Sequence, residues 1–542
     1  MITPWKQLIK GQITLEEALQ LLVDPQGLVN SELLDRDISR RFRSHFPKNQ
    51  ELPPVIPLLL WHNCFYLGTA TDLSTDKIKK IKIRTNSEIE LIPIAERSYR
   101  DWAWIQEIDI SQVDPTKFVE LFKEKEEKFE DISNFTEMFL LRNKNPTEQL
   151  NFIIAGAIHK RASDIHLQPT ERGVRIRYRI DGLLVDIVKP NRGIDPRLIT
   201  ALKVMSDMDI AERRCPQDGR VGMNFAAAEK ASLQLDMRVN TLPCFHGENA
   251  VIRLLPQRNP FVSVGDLGFT ASAMGIYQNW IKQPQGMIII TGPTGSGKTS
   301  TLYTSLQAVL REFVNVVTIE NPVEYVLHEI TQSQVNEAAG MTFAAGLRAI
   351  LRQDPDIIMV GEIRDNETAE TAVQAAMTGH LVFTTMHTND AISVIPRLKG
   401  LGLDSSVIAE ALLGITAQRL VRKVCPYCAQ PYEPTVAEVE YLGLTKEEIQ
   451  LEKWRKPKGC FKCSTSGYLG RTGIIELINC NTKMKQLIRQ GKITEMQRYL
   501  EQINFDSFRK AAIEKVTSGL TTVEELQRVI PDSAMHPQVV DD

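Results

Sequence analysis

Cysteine is scarce in this chain of 542 residues. There are eight: four form two CxxC pairs, and Cys64, Cys215, Cys244 and Cys480 are scattered. That excludes a disulfide scaffold, and the paired spacing points to metal. Long apolar runs are missing too. The N-terminal MITPWKQLIKGQITLEEALQ has no apolar core of signal-peptide length. The most apolar stretch, VIPLLLWHNCFYLG (55–68), is interrupted by Pro57, His62 and Asn63 and is too short to span a bilayer. The expectation is an intracellular protein with peripheral membrane contact at most. Charge of one sign is also lacking: 64 Lys+Arg face 67 Asp+Glu, a net charge of −3. Polyanion binding by bulk charge is thereby excluded, and a nucleic-acid role would need a local basic patch. No internal repeat or low-complexity tract occurs. What is present is ordinary for a soluble globular protein, 43% hydrophobic and 24% charged. The length predicts three or four domains.

Texture divides the chain. Residues 1–110 read as an N-terminal domain, with an amphipathic helix over ITLEEALQLLV (13–23) and another opening at Ser31–Leu34. Residues 111–145 form a linker whose charge run, 112–131, reads as a solvated helix. An α+β domain is expected over 146–270. There TEQLNFIIAGAIHKRA has helical spacing, VRIRYRIDGLLVDIV (174–188) alternates around an Asp181-Gly182 turn, and 231–255 forms a second hairpin. Residues 271–424 carry an α/β pattern of strand, Gly-rich loop, helix and strand. The CxxC pairs bracket a small element at 425–475. The remainder, 476–542, reads as helical, with 531–542 frayed.

The segment GMIIITGPTGSGKTS (286–300) carries the most chemistry. Met287–Ile290 suit a buried parallel strand. Gly292, Pro293, Thr294, Gly295, Ser296, Gly297, Lys298 and Thr299, with Ser300 next, complete G-x-x-x-x-G-K-[ST]. Its glycines let backbone N–H groups point at phosphate oxygens, and the following helix N-terminus adds partial positive charge. Lys298 is assigned to the β- and γ-phosphates and the Thr299 hydroxyl to Mg²⁺. A phosphate loop needs an acid at the end of a neighbouring strand, and DPDIIMVGEIRD (354–365) offers Glu362 just past its apolar run. A third strand, VNVVTIE (314–320), leads into Glu320 and Glu324, which flank Pro322. A carboxylate there would orient or deprotonate water. A fourth strand is bracketed by His380 and His387.

In order and spacing, these segments resemble the secretion ATPases of type II secretion and type IV pilus assembly. The Walker A box is GPTGSGKT (292–299), the Asp box TIENPVEY (318–325), the Walker B box LRQDPDIIMVGEIRDNETA (351–369) and the His box TGHLVFTTMHTNDA (378–391). The resemblance covers 146 to about 480. It implies a RecA-like P-loop ATPase core preceded by a PAS-like α+β domain, with a small zinc-binding insert and a helical C-terminal region. By the same resemblance Glu324 is the catalytic carboxylate and Glu362 the Walker B acid that holds Mg²⁺. His380 and His387 are the His-box pair that senses or organises the phosphate end. The Asp box reads Glu-Asn-Pro where the family usually has Glu-Asp-Pro, so Asn321 removes one charge. RASDIHLQP (161–169), RIRYRIDG (175–182), PQDGR (216–220) and DMRVNTLP (236–243) match the family's preceding domain. Arg238 and Arg253, expected at opposite ends of one hairpin, take the role of arginines that approach the γ-phosphate. Otherwise they would be structural ion-pair partners.

The resemblance further implies a homo-hexamer that hydrolyses ATP to drive pilin or pseudopilin assembly by a hinge-type stroke. Its partners would be an inner-membrane platform protein and a cytoplasmic-domain adaptor, with the ATPase cytoplasmic and peripherally associated with the inner membrane. A cyclic-dinucleotide motif of the kind some family members carry is not found in 1–110. Cys425, Cys428, Cys460 and Cys463 suit tetrahedral Zn²⁺, with redox use as the alternative. The 31-residue gap between the pairs predicts an inserted hairpin or helix. Assembly-type members carry such an element, whereas retraction motors generally lack it. KWRKPKG (453–459) is a basic patch that is either a solvated face or a contact for anionic lipid or an acidic partner. The competing function is a P-loop motor on nucleic acid. The slightly acidic charge and the lack of a base-stacking motif speak against it, and no direct nucleic-acid contact is expected.

Overall fold

The computed structural model describes residues 3–30, 33–46, 53–96, 98–99, 102, 140, 145–188, 196–225, 233–255, 261–445 and 453–535. The charge run 112–131 and the terminal residues 536–542 lie outside them. The chain divides into two units, Met1–Asp114 and Pro115–Asp542.

In the first unit, helices Pro4–Ile9, Leu15–Leu22 and Arg36–Ser44 precede a hairpin of β1 (Val55–Trp61) and β2 (Cys64–Thr69). Helix Thr75–Thr85 then leads to β3 (Glu88–Pro93), parallel to β2. The helix predicted over 13–23 opens with a reciprocal cap. Thr14 Oγ1 accepts from Glu17 N–H at 3.2 Å, and Glu17 Oε2 accepts from Thr14 N–H at 2.8 Å. The next described helix begins at Arg36, where Asp35 is the N-cap and accepts from Asp37 N–H at 2.9 Å; of the opening expected at 31–34, Ser31 and Glu32 lie outside the described residues and Leu33 and Leu34 are not helical. His62 and Asn63, which broke the apolar run, take positive φ and form the hairpin turn.

The second unit starts with helix Pro146–His159 and then β4 (Ala162–Thr170), β5 (Gly173–Ile180) and β6 (Leu183–Asp186). Helix Arg197–Met205, β7 (Gln217–Phe225), β8 (Leu233–Cys244) and β9 (Gly247–Leu255) follow. These strands form one antiparallel sheet of order β6-β5-β4-β9-β8-β7. One face buries Ile165, Leu167, Ile176, Tyr178, Val239 and Ile252. Tyr178 hydroxyl ties this face to the first helix by donating to Ile153 O at 2.5 Å. The other face is polar. Register puts Arg220, Arg238, Arg253, Asp164 and Arg179 in one row across five strands. Arg238 and Arg253 are therefore directly opposite each other, not at opposite ends of the hairpin. The two-residue turn at Phe245-His246 fixes that register.

The core has β10 (Gly286–Thr291), β11 (Val316–Glu320), β12 (Thr331–Gln334), β13 (Ile357–Val360), β14 (Leu381–Met386) and β15 (Leu412–Val424). A ribbon of β16 (Ala429–Pro431) and β17 (Arg455–Pro457) precedes β18 (Tyr468–Asn479). The sheet order is β12-β11-β13-β14-β10-β15-β18, with every pair parallel except β15 and β18. Both faces are covered, as an apolar parallel sheet requires. Ile288, Ile290, Met359 and Phe383 pack in one layer, and Met287, Ile289, Ile358, Val360 and Val382 in the other.

The cysteine element thus interrupts the core sheet, since β18 returns from it beside β15 and runs across the boundary expected at 475/476. Within the insert, helix Val436–Leu442 sits between the ribbon strands. Helices Thr482–Gln490, Ile493–Gln502, Phe508–Thr517 and Val523–Val529 join the second layer. Asp532–Met535, expected to fray, is a short helix anchored by fully buried Met535.

Candidate active site

β10 delivers the phosphate loop at its carboxyl end, and helix Lys298–Val309 leaves it. Gly292, Gly295 and Gly297 have φ of +146°, +79° and +88°, which an L side chain strongly disfavours. A Cβ on Gly292 would lie 2.5 Å from Gln418 O, and one on Gly297 would lie 2.8 Å from Gln418 Nε2. β15 is thus pressed against the underside of the loop, and Gln418 locks the helix start by accepting from Thr301 hydroxyl at 2.7 Å. Lys298 Nζ donates to Gly292 O at 2.8 Å and Pro293 O at 3.1 Å, so the ammonium spans the loop mouth. Burial lowers its pKa to about 8 against the opposing pull of Glu362. Ser296 Oγ is buried and has no hydrogen-bond partner among the described residues. Thr299 is exposed at the helix start. Positive-φ glycines, a helix N-terminus, an ammonium and an unpartnered hydroxyl fit a phosphate chain.

β14 lies between β10 and β13, so the strand that carries Glu362 is not the immediate neighbour expected from the sequence. The acid still reaches the loop. Gly361 accepts from Thr385 hydroxyl at 2.7 Å, and Ile363 N–H donates to Thr385 O at 3.0 Å, which folds the Walker B turn over the end of β14. Glu362 is 12% exposed, 2.7 Å from Arg364 Nη2 and 3.5 Å from His387 Nε2. Burial and the Lys298 ammonium push the His387 pKa below its ordinary value, while Glu362 opposes them. Lys298, Glu362 and His387 therefore form one cluster. Thr299 and Glu362 are the oxygen donors that suit Mg²⁺ at such a loop.

His380 belongs elsewhere. It precedes β14, its carbonyl accepts from Gly286 N–H at 3.0 Å, and its Nδ1 lies 3.0 Å from Ala375 O. Gly286 opens β10, so His380 sits at the opposite end of the sheet from the loop. The expectation that both histidines organise the phosphate end is corrected for His380: six residue steps of extended strand, roughly 20 Å, separate it from Met386.

The Asp box separates its two acids by environment. Glu320 is 3% exposed and accepts from Thr318 hydroxyl at 2.6 Å, from Gln332 Nε2 at 3.1 Å and from the Tyr303 hydroxyl. Both its oxygens are engaged by these three buried donors, which suits a structural role. Tyr303 in turn accepts from Glu324 N–H at 3.3 Å, which links the phosphate-loop helix to the box. The Glu324 carboxylate is 32% exposed and free to act on a solvent molecule. From the preceding domain, Arg238 approaches it at 3.9 Å and donates to Val323 O at 3.0 Å. Arg253 instead pairs with Asp164 at 3.1 Å and is 59% exposed. Tyr303 and Gln418 went unrecognised in the sequence, since only their register against the loop and the boxes reveals them; Arg364 lay within the quoted Walker B box without a role assigned. Arg220, beside Arg238 in the row, lay within the recognised PQDGR segment.

The four paired cysteines form the one metal-type cluster among the described residues, with ligand atoms within 4.8 Å of one another. Sγ separations are 3.8 Å for Cys425–Cys460, 3.9 Å for Cys428–Cys463 and 3.7 Å for Cys460–Cys463. Tetrahedral zinc with Zn–S near 2.3 Å requires about 3.8 Å between sulfurs, whereas a disulfide requires about 2.0 Å. Backbone N–H groups of Cys460 and Gly467 donate to Cys463 Sγ at 3.1 and 3.2 Å, which suits a thiolate.

Among the described residues, no helix is long and apolar enough to cross a membrane. Residues 142–528 match the family model described as type II/IV secretion system protein. The chain is 44% identical over 381 residues to type II secretion system protein E of Pseudomonas aeruginosa, covering 70% of this chain and 74% of that one. It is 40% identical over 393 residues to the type IV pilus assembly ATPase PilB of Acinetobacter baylyi, covering 72% and 67%. The solved structure of the ATPase DotB from Yersinia pseudotuberculosis has the same core fold, with a TM-score of 0.54 at 21% identity over 73% of this chain and 96% of that one.

Proposed function

Because the chain belongs to the type II/IV secretion system protein family, we propose that it hydrolyses ATP and passes the energy to a secretion or pilus-assembly machine. The clustering of Lys298, Glu362 and His387 around a glycine-rich loop carries this reading. Phosphoryl transfer asks the protein mainly for positioning and charge stabilisation. Loop N–H groups and Lys298 bind and orient the β- and γ-phosphates. Thr299 and Glu362 would hold Mg²⁺, which supplies Lewis-acid neutralisation of the phosphate oxygens. Glu324 orients the attacking water and takes its proton. Arg238, already beside Glu324, swings its fork to the γ-phosphate as charge builds there, with Arg253 behind it once released from Asp164. Cys425, Cys428, Cys460 and Cys463 would hold a structural Zn²⁺ that closes the far end of the β15–β18 pair.

The finer reading is a homo-hexamer that moves pilin or pseudopilin subunits, docked through residues 1–110 on an inner-membrane platform protein and a cytoplasmic-domain adaptor. Closure of the α+β domain on the core would be the stroke. Phosphate release by Lys298→Ala is the test. A folded variant without turnover supports the site, and normal hydrolysis by it refutes the assignment.

A further inference from the structure

The loop after β14 is gripped from the far side of the sheet. Thr388 N–H donates to Thr291 Oγ1 at 2.8 Å, next to the phosphate loop. Arg419 on β15 then donates to Asn389 O at 2.7 Å. Ala391 N–H donates to Glu476 Oε1 on β18 at 2.8 Å. The second Glu476 oxygen accepts from Phe508 N–H at 3.4 Å, at the first residue of helix Phe508–Thr517. The Arg419 guanidinium lies 5.4 Å from the Phe508 ring centre.

Both charged side chains are buried, Arg419 at 5% and Glu476 at 8% exposure. Burying a carboxylate and a guanidinium carries a desolvation cost that a packed apolar pair would avoid. Each is nevertheless directed at the backbone of one catalytic loop. Glu476 gives one oxygen to that loop and the other to the C-terminal helices. The other hydrogen bonds of residues 389–391 are local to the segment: Thr388 hydroxyl to Asp390 O at 2.7 Å, Ser393 N–H to Asp390 Oδ1 at 2.8 Å and Val394 N–H to Ala391 O at 3.3 Å, so Arg419 and Glu476 are the ties to β15 and β18.

We propose that Glu476 and Arg419 are positioning residues for His387: they fix the backbone of residues 389–391, aim the imidazole at Glu362 and Lys298, and couple that aim to the C-terminal helical region. This rests on the reading of the site given above.

The test is a double-mutant cycle in the full chain, with kcat and KM for ATP from phosphate release. Glu476→Gln, nearly isosteric, turns its NH₂ toward one of two N–H donors and so lowers the thermal transition, but where it is folded KM is expected to stay within about twofold while kcat falls roughly tenfold, as for a misaimed catalytic group. His387→Ala lowers kcat as well, and adding Glu476→Gln to it produces no further loss. Should Glu476→Gln fail to fold, Arg419→Lys, which shortens the reach to Asn389 O, reports the same coupling from the other strand. Active wild type and inactive Lys298→Ala verify the site independently. On that footing, multiplicative losses in the double variant, or unaltered kcat in the Glu476 variant, overturn the positioning role. Hydrolysis surviving Lys298→Ala would instead overturn the reading beneath it.

Discussion

Two carboxylates four residues apart in the Asp box should respond oppositely to the same change. Glu324 sits 3.9 Å from Arg238 with 32% of its side chain exposed. A pair this open is worth about 0–1 kcal/mol, so Glu324→Gln should leave the thermal transition almost where it was and should still bind ATP. Loss of a general base costs at least ~10² in turnover, about 2.7 kcal/mol in the barrier. Glu320, at 3% exposure, accepts from Thr318, Gln332 and Tyr303. An amide there turns an NH₂ toward one of those donors and leaves a buried hydrogen unmet, at roughly 1–3 kcal/mol of stability. Phosphate release, equilibrium binding of a fluorescent ATP analogue and thermal unfolding, run side by side on both variants, separate chemistry from structure. Wild-type turnover in Glu324→Gln would remove it from the mechanism. A Glu324 variant that melts as early as the Glu320 variant would undo the argument from exposure.

Gly292→Ala should abolish nucleotide binding, because its Cβ meets Gln418 O at 2.5 Å and Ser296 Oγ at 2.6 Å, whereas Gly295→Ala meets nothing within 4 Å and bears only the cost of its φ of +79°; equal affinities would contradict that packing. Elemental analysis should find roughly one zinc per chain in wild type and far less in Cys460→Ser, and equal occupancy in the two would rule out a four-thiolate site. The Glu476 pKa is raised from 4.5 to about 7 by burial and by Asp390, with Arg419 and the two N–H donors opposing. Its stabilisation, up to roughly 3 kcal/mol, is complete below about pH 4.5 and lost as pH rises through about 7. Glu476→Gln should flatten the stability curve between about pH 4.5 and 7, and a slope parallel to wild type there would refute the assignment.

Much of the site was legible because its chemistry is local. A phosphate loop is a run of consecutive residues, so Gly292–Thr299 fixes backbone conformation, helix start and ammonium together. Buried parallel strands are short apolar runs, which is why Met287–Ile290 and Ile357–Val360 stand out. Metal-ligand pairs are spaced by one tight turn, and both CxxC pairs were visible for that reason. The sequence by itself determined which residues can meet phosphate, Mg²⁺ and zinc.

Only the tertiary structure decided which of them come together. Strand order inserts β14 between the loop and Glu362. Strand direction sends His387 to the phosphate end and His380 to the other, although both lie in one box. Register sets Arg238 against Arg253 and lets only Arg238 reach Glu324. Burial separates Glu320 from Glu324, and the return of β18 brings Glu476 beneath a loop 85 residues earlier. Pairing order, direction and burial arise from the whole sheet closing on its two apolar layers, and no window of neighbouring residues carries that information.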